Sequence, residues 1–266
     1  MLAVGKELLI GRTLNTNAYW IGRRLARMGS MLKEVTVVDD DLDEISAALR
    51  ETAKRSPDVL VVVGGLGPTP DDMTLRGIAK GLGASVRRNP GALKMIREHY
   101  AKRGLGGIEL TPARIKMSML PAGADPVLNP VGTAPGVRLT MGKTVVYCLP
   151  GVPVEMRAIF RSSVEPEVQR ILGRMHRKYI TLKIEGVFES TLAPTIAQAL
   201  RRHPGAYIKS HPRGVKEGVS QIELDIAVVG EERSPTEVEG EKIAEEIAGE
   251  VERAGGAVKR FKVPRG

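Results

Sequence analysis

The sequence has few of the residues that mark several broad classes of protein. Its single cysteine, Cys148, excludes a framework of internal disulfides and favours a reducing cytoplasm. No apolar stretch reaches the roughly 18 residues that a membrane-spanning helix needs, and the N-terminus has no signal-peptide pattern. Aromatic residues make up only 3% of the chain, which leaves few rings to stack on nucleic-acid bases. We therefore expect a cytoplasmic globular protein without a membrane partner.

Charge is abundant, but it does not name a partner. The net charge of +9 permits an anionic ligand, yet the basic residues are scattered along the chain and mixed with acids. We therefore do not expect a nucleic-acid site. Asparagine and glutamine are scarce while arginine, lysine and glutamate are common, a bias typical of proteins from hot environments.

Strands and helices alternate through residues 1–172, which we predict to form one domain. Residues 58–63 are a run of mostly β-branched residues, typical of a strand buried on both faces. Residues 35–38 predict another strand, and residues 137–139 and 144–149 predict a pair. Helices with apolar residues on one face lie between them. The pattern predicts a three-layer α/β/α domain around a largely parallel sheet.

The pattern changes after a polar, basic break at residues 173–178. Residues 179–266 predict the order β-α-β-β-α-β, with strands at 179–188, 206–210, 219–229 and 257–263 and helices at 190–202 and 235–254. This order is that of the ferredoxin-like arrangement. We therefore predict a second, smaller α+β domain, although such a fold does not by itself indicate a function.

A glycine-rich loop follows the buried strand of the first domain. Gly64, Gly65, Leu66 and Gly67 lead through Asp71 and Asp72 to a helix that begins near Thr74. Glycines let backbone N–H groups approach an anion, and the N-terminus of a helix favours phosphate. Two acids beside a phosphate site suit a divalent metal or the N–H donors of a ring. The alternative is a simple turn in which Asp71 or Asp72 caps the helix.

Three further loops, most of them at predicted strand ends, extend this pattern. Open α/β sheets bind ligands beyond the carboxyl ends of their strands, so these loops predict one shared site. Their candidate ligand-binding residues are Glu7, Asn15 and Asn17 near the first strand, Gly132, Thr133 and Gly136 before the strand pair, and Pro150 and Gly151 after it.

These motifs resemble those of the N-terminal domain of the CinA family, and more distantly the molybdopterin-binding domain of MogA, MoaB and gephyrin-type proteins. The resemblance covers residues 1–172 closely, and the second domain also has a counterpart in CinA-like proteins. The sequence shows no counterpart of the C-terminal deamidase domain of full-length CinA-like proteins, so we do not expect that activity. The matching positions are Gly5 to Leu9, Asn15 to Asn17, Asp40, Gly64 to Gly67, Asp72 to Thr74, Gly132 to Gly136 and Leu149 to Met156.

The resemblance implies a metal-dependent hydrolase of a nucleoside diphosphate derivative such as ADP-ribose. The glycine loop would hold the phosphates, and Asp72, with Asp71 and Asp40, would bind a divalent cation such as Mg²⁺. Glu7 would act as a general base or a further metal ligand. Two alternatives stay open: a protein that binds a pterin or molybdopterin without turnover, and a second domain whose surface binds a nucleic acid or a protein partner. By analogy we also expect a homo-oligomer, either a dimer or a trimer.

Overall fold

Val59–Val63 is a central strand of the first part of the chain, because its aliphatic side chains can be buried on both faces of a sheet. The computed structural model describes residues 1–173 and 175–261. The chain divides into two compact units, residues 1–171 and 172–266. This division lies beside the break that we predict at residues 173–178, of which Arg174 lies outside the described residues.

The first unit alternates short strands and helices. Its elements are β1 (Leu2–Val4), α1 (Lys6–Leu9), α2 (Thr16–Met28), β2 (Thr36–Val38), α3 (Leu42–Lys54), β3 (Val59–Val63), α4 (Thr74–Leu82), β4 (Val86–Arg88), α5 (Pro90–Lys102), α6 (Pro112–Lys116), β5 (Met119–Pro121), β6 (Asp125–Val127), β7 (Gly136–Met141), β8 (Thr144–Leu149), α7 (Pro153–Ile159), a π-helical segment (Phe160–Val164) and α8 (Glu165–Leu172).

Six of these strands form one sheet in the order β2-β1-β3-β8-β7-β6. The pairs from β2 to β8 are parallel, whereas β7 runs antiparallel to both of its neighbours. The predicted largely parallel sheet is therefore confirmed. The strands β4 and β5 pair separately as a two-stranded antiparallel sheet that the sequence pattern did not predict.

Helices cover both faces of the six-stranded sheet. Leu60 and Val62 of β3 point to one face, where they pack in a core with α3, α4 and α5. Val61 and Val63 point to the opposite face by the alternation of a strand. There α7 packs against β8 and α2 against α7. The predicted three-layer arrangement is confirmed.

Several contacts join α2 to the continuous helical rod formed by α7, the π-helical segment and α8. Arg24 donates two hydrogen bonds to the carboxylate of Glu165, at 2.5 and 2.7 Å. The ring of Trp20 meets that of Phe160 edge-on, with centroids 5.4 Å apart. A further contact, from Asn17 to the loop before α7, lies at the candidate site described below. These contacts hold two walls of that site against each other.

The second unit contains the elements β9 (His176–Glu185), α9 (Glu189–Arg202), β10 (Tyr207–Lys216), β11 (Val219–Gly230), α10 (Arg233–Arg253) and β12 (Ala257–Phe261). All of its strand pairs are antiparallel, in the order β10-β11-β9-β12. This is the predicted ferredoxin-like order, and its apolar face packs against both helices. The end of the last predicted strand, residues 262–263, lies outside the described residues. Within the described part of the chain, no helix combines the length and apolarity needed to cross a membrane.

Candidate functional site

The main cavity of the first unit lies at the carboxyl ends of β1, β3 and β8 and has a volume of about 580 Å³. The loops after those strands and the start of α2 form its walls. Its position agrees with the rule for open α/β sheets. The predicted residues that line it are Glu7, Asn15, Asn17, Asp40, Gly64, Gly65, Leu66, Gly67, Asp71, Asp72, Thr133, Pro150 and Gly151.

The glycine turn after β3 has a backbone conformation that side chains would prevent. Gly64 and Gly65 have φ angles of 110° and 63°, in the left-handed region that favours glycine. A Cβ atom on Gly64 would lie 2.1 Å from the carbonyl oxygen of Val4. The buried Thr74 hydroxyl closes the turn by donating to the Gly64 carbonyl at 2.8 Å. The turn is therefore fixed before any ligand arrives.

This turn offers unused hydrogen-bond donors to the cavity. Among the described residues, nothing accepts a hydrogen bond from the backbone N–H groups of Gly65, Leu66 or Gly67. All three residues line the cavity. Successive free N–H groups in a glycine-rich turn form a concave site for an anion. The geometry therefore suits the phosphate group that the sequence predicts here.

The rest of the loop is closed by Asp72 and Thr69. The Asp72 Oδ2 atom accepts hydrogen bonds from the Thr69 N–H at 2.8 Å and from its hydroxyl at 2.6 Å. Helix α4 begins after Met73 and has no side-chain cap, so the alternative in which Asp71 or Asp72 caps it is wrong. The carboxylate of Asp72 holds the loop rather than the helix.

A lysine that the sequence analysis missed supports this loop from behind. The Lys116 ammonium donates to the carbonyl oxygens of Gly67 at 3.3 Å, Asp72 at 2.7 Å and Thr69. Burial lowers the pKa of Lys116, while the nearby carboxylates of Asp72 and Asp71 oppose that shift. Lys116 lies outside the main cavity and lines a second one of about 300 Å³ behind the glycine turn.

Acidic side chains dominate the charge of the main cavity. Asp40 accepts a hydrogen bond from the Lys6 N–H at 2.9 Å. Burial raises the pKa of Asp40, and the charges of Glu7, Asp39 and Asp71 raise it further. Among the described residues that line the cavity there is no lysine, arginine or histidine. The lining therefore presents carboxylate acceptors that suit ligand N–H groups or an incoming cation.

A resident metal does not fit these carboxylates as they are arranged. In residues 1–173 and 175–261, no three histidine, cysteine, aspartate or glutamate side chains are grouped as metal ligands. The carboxylate of Asp72 is already bonded to Thr69, and that of Asp40 to the Lys6 N–H. The predicted site for Mg²⁺ at Asp72 and Asp40 therefore has no preformed cage in this structure.

Two asparagines at the start of α2 contribute differently to the cavity. The Asn15 side chain caps α2 by accepting from the Ala18 N–H at 3.0 Å. Asn17 donates from Nδ2 to the Gly151 carbonyl at 2.8 Å, which joins α2 to the loop before α7. Its Oδ1 atom is buried and accepts no hydrogen bond from the described residues. A buried acceptor without a partner is costly, so Asn17 is the side chain best placed to accept a ligand N–H or O–H.

Three predicted ligand-binding residues do not line the cavity. Thr74 is buried behind the glycine turn, and Gly136 is buried at the start of β7. Gly132 donates its N–H to Asn129 at 2.8 Å. In this structure each of the three is bonded to or packed against the loops around the cavity, and none lines it.

Two side chains beside the Gly132 loop were missing from the predicted site. Asn129 is buried and donates to the Ala134 carbonyl and to Glu155 Oε2, at 2.8 and 2.7 Å. Glu155 lines the cavity and belongs to the Leu149–Met156 motif, so that motif could have revealed it. Nothing in the sequence marks Asn129, because its partners are set by the folded loop.

Comparison with known proteins identifies the fold around this cavity. Residues 1–170 match the protein family described as "Probable molybdopterin binding domain". The chain belongs to this family. The crystal structure of the protein CinA, of unknown function, from Thermoplasma acidophilum shows 44% sequence identity to this chain and a TM-score of 0.57. It covers 62% of this chain and 96% of its own. The resemblance to CinA predicted from the motifs is confirmed.

Relatives extend over both units of the chain. A protein of Aeropyrum pernix is 41% identical over 258 residues, which cover 97% of this chain and 95% of its own. A protein of Metallosphaera sedula is 40% identical over 267 residues, which cover 99% of this chain and 98% of its own. In both of these relatives the sequence similarity extends over the first and the second unit of this chain.

Proposed function

We propose that the first unit binds a phosphorylated pterin of the molybdopterin type in its main cavity. The observation that carries this proposal is the combination of free N–H groups at Gly65 to Gly67 with a lining that has carboxylates and no basic side chain. A phosphate accepts hydrogen bonds from N–H groups, whereas a heterocycle with an amino-imino edge donates hydrogen bonds to carboxylates. Membership of the molybdopterin-binding family supports the same ligand class.

Each part of such a ligand has a partner among the described residues. The phosphate would accept hydrogen bonds from the glycine turn. The ring N–H groups would donate to Asp40, Glu7 or Asp71, which line the cavity together. The unpaired Oδ1 of Asn17 would accept a further ligand hydrogen. This arrangement binds and orients the ligand without requiring turnover.

Calorimetric titration with molybdopterin under anaerobic conditions, and with a phosphorylated and a dephosphorylated neopterin, tests the proposal. We expect Asp40→Asn to weaken pterin binding roughly tenfold or more, since a hydrogen bond to a charged group contributes about 1.5–3 kcal/mol. The matched control is Asp58→Asn, which removes an exposed carboxylate at the opposite end of β3. The absence of pterin binding by the wild-type protein, or equal loss in both variants, would contradict the proposal.

Hydrolysis of a nucleoside diphosphate derivative such as ADP-ribose is the second candidate. The mutual repulsion of Asp40, Glu7 and Asp71 favours a cation, which would have to arrive with the ligand's phosphates. AMP release from ADP-ribose, measured with and without Mg²⁺, tests it directly. Release by the wild-type protein that is lost in Asp40→Asn and kept in Asp58→Asn would favour this candidate over a pterin-binding protein.

A homo-oligomer, the absence of nucleic-acid binding and a cytoplasmic location stay predictions. Sedimentation at two ionic strengths would determine the oligomeric state.

A further inference from the structure

The ammonium group of Lys116 uses its full hydrogen-bonding capacity on the backbone of one loop. An ammonium has three donors, and Lys116 directs them to the carbonyl oxygens of Gly67, Thr69 and Asp72. It forms no salt bridge with the described carboxylates. Lys116 is therefore committed to the loop and has no donor left for a ligand.

Two of the three carbonyl groups that bind Lys116 belong to residues that are followed by proline. Gly67 and Thr69 each precede a proline, Pro68 and Pro70. A proline restricts the conformations open to the residue before it, so both positions are stiffened. The chain bends between them, and both carbonyls meet the same ammonium group on one side of the loop.

The loop separates the cation from the free N–H donors. Gly65, Leu66 and Gly67 line both cavities, so the turn is the wall between them. Lys116 lies in the second cavity only. Without a cation there, the partial negative charges of the carbonyls would stand close behind an anion bound at the turn.

We infer that Lys116 is a positioning residue of the phosphate site. Its ammonium holds the three carbonyls on the far side of the loop and leaves the N–H groups of the glycine turn facing the main cavity. This inference rests on the proposed function for its ligand, but it concerns only the phosphate end of that ligand. Lys116 acts through the loop and does not touch the ligand.

The test compares Lys116→Met with Lys143→Met, which removes the same charge from an exposed turn of the same unit. The probes are inorganic pyrophosphate, a phosphorylated neopterin and the dephosphorylated neopterin. We expect Lys116→Met to weaken pyrophosphate and the phosphorylated pterin roughly tenfold or more. Affinity for the dephosphorylated pterin should stay within about twofold, and Lys143→Met should resemble the wild type. A merely structural defect would weaken all three ligands alike.

The outcomes separate this inference from the proposed function. Pyrophosphate binding that depends on Lys116, together with no binding of either pterin, supports the positioning role and contradicts the pterin proposal. A wild-type protein that binds the dephosphorylated pterin but not pyrophosphate contradicts the positioning role. Equal pyrophosphate affinity in the wild type and Lys116→Met, or equal losses for all three ligands, also overturns it.

Discussion

Replacing Gly65 with alanine tests whether steric fit determines the conformation of the glycine turn after β3. Gly65 has a φ angle of 63°, and a Cβ there would lie 2.3 Å from the Thr74 hydroxyl oxygen. Gly83, at the end of α4, has a φ angle of 66°, and a Cβ there would meet nothing within 4 Å. Both alanine variants share the backbone penalty of about 1–2 kcal/mol for the left-handed region. The difference between them therefore isolates the clash.

The size of that difference follows from the surroundings of Thr74. Thr74 is buried, and its hydroxyl donates to the Gly64 carbonyl, so it cannot give way to a Cβ on Gly65 without losing that hydrogen bond. Overpacking costs about 1–3 kcal/mol, and a lost hydrogen bond costs about 1 kcal/mol more. We therefore expect Gly65→Ala to destabilise the first unit by about 2–4 kcal/mol more than Gly83→Ala.

The single tryptophan makes this measurement specific for the first unit. Trp20 lies in α2 against Phe160, so its fluorescence reports the unfolding of that unit. With a slope of about 2 kcal/mol per molar urea, the expected difference separates the two midpoints by about 1–2 M. Equal midpoints for Gly65→Ala and Gly83→Ala would refute the steric argument.

Three further predictions concern other polar contacts of the first unit. A double-mutant cycle with Thr69→Val and Asp72→Asn should give a coupling energy of about 1 kcal/mol, whereas additive effects would show that the Thr69–Asp72 bond is not formed. The raised pKa of Asp40 disfavours its charged form in the folded state, so its contribution to stability is lost as the pH rises through that pKa. Asp40→Asn should therefore raise the melting temperature at pH 7, and this gain should vanish near pH 3; a constant gain would contradict the assignment. Arg24→Met should cost about 2–4 kcal/mol because it leaves the buried Glu165 carboxylate unpaired, and adding Glu165→Met should recover most of the loss; no recovery in urea unfolding would refute the ion-pair argument.

The sequence predicted those parts of the fold that depend on local patterns. The run at Val59–Val63 marks a buried strand, and the glycines at Gly64 and Gly65 mark a sharp turn because few other residues adopt their φ angles. The strands β4 and β5 were missed because each has only three residues, and such short segments show no periodicity. The hydrophobic pattern therefore predicts a strand best where several consecutive residues are buried.

The loops of the candidate site could be predicted from the sequence, but the lysine that holds one of them could not. Glycine, proline and acidic residues mark the loops, and the parallel sheet brings them to one edge. The role of Lys116 could not be predicted, since its partners are backbone carbonyls 44 to 49 residues earlier in the chain. Backbone acceptors leave no mark in an amino-acid sequence. The folded structure alone reveals such a contact.

The contacts of α2 with the loop before α7 and with the rod formed by α7, the π-helical segment and α8 restrict how this part of the chain can change in length. Asn17 is joined to Gly151 at one end, and Arg24 is joined to Glu165 at the other. Removing or adding one residue in α7 would turn the rest of the rod by about 100° around its axis and carry Glu165 away from Arg24. A single-residue insertion or deletion in α7, or in α2 between Asn17 and Arg24, would therefore break one of these two contacts. Changes in length that leave the cavity intact must fall in the loops elsewhere.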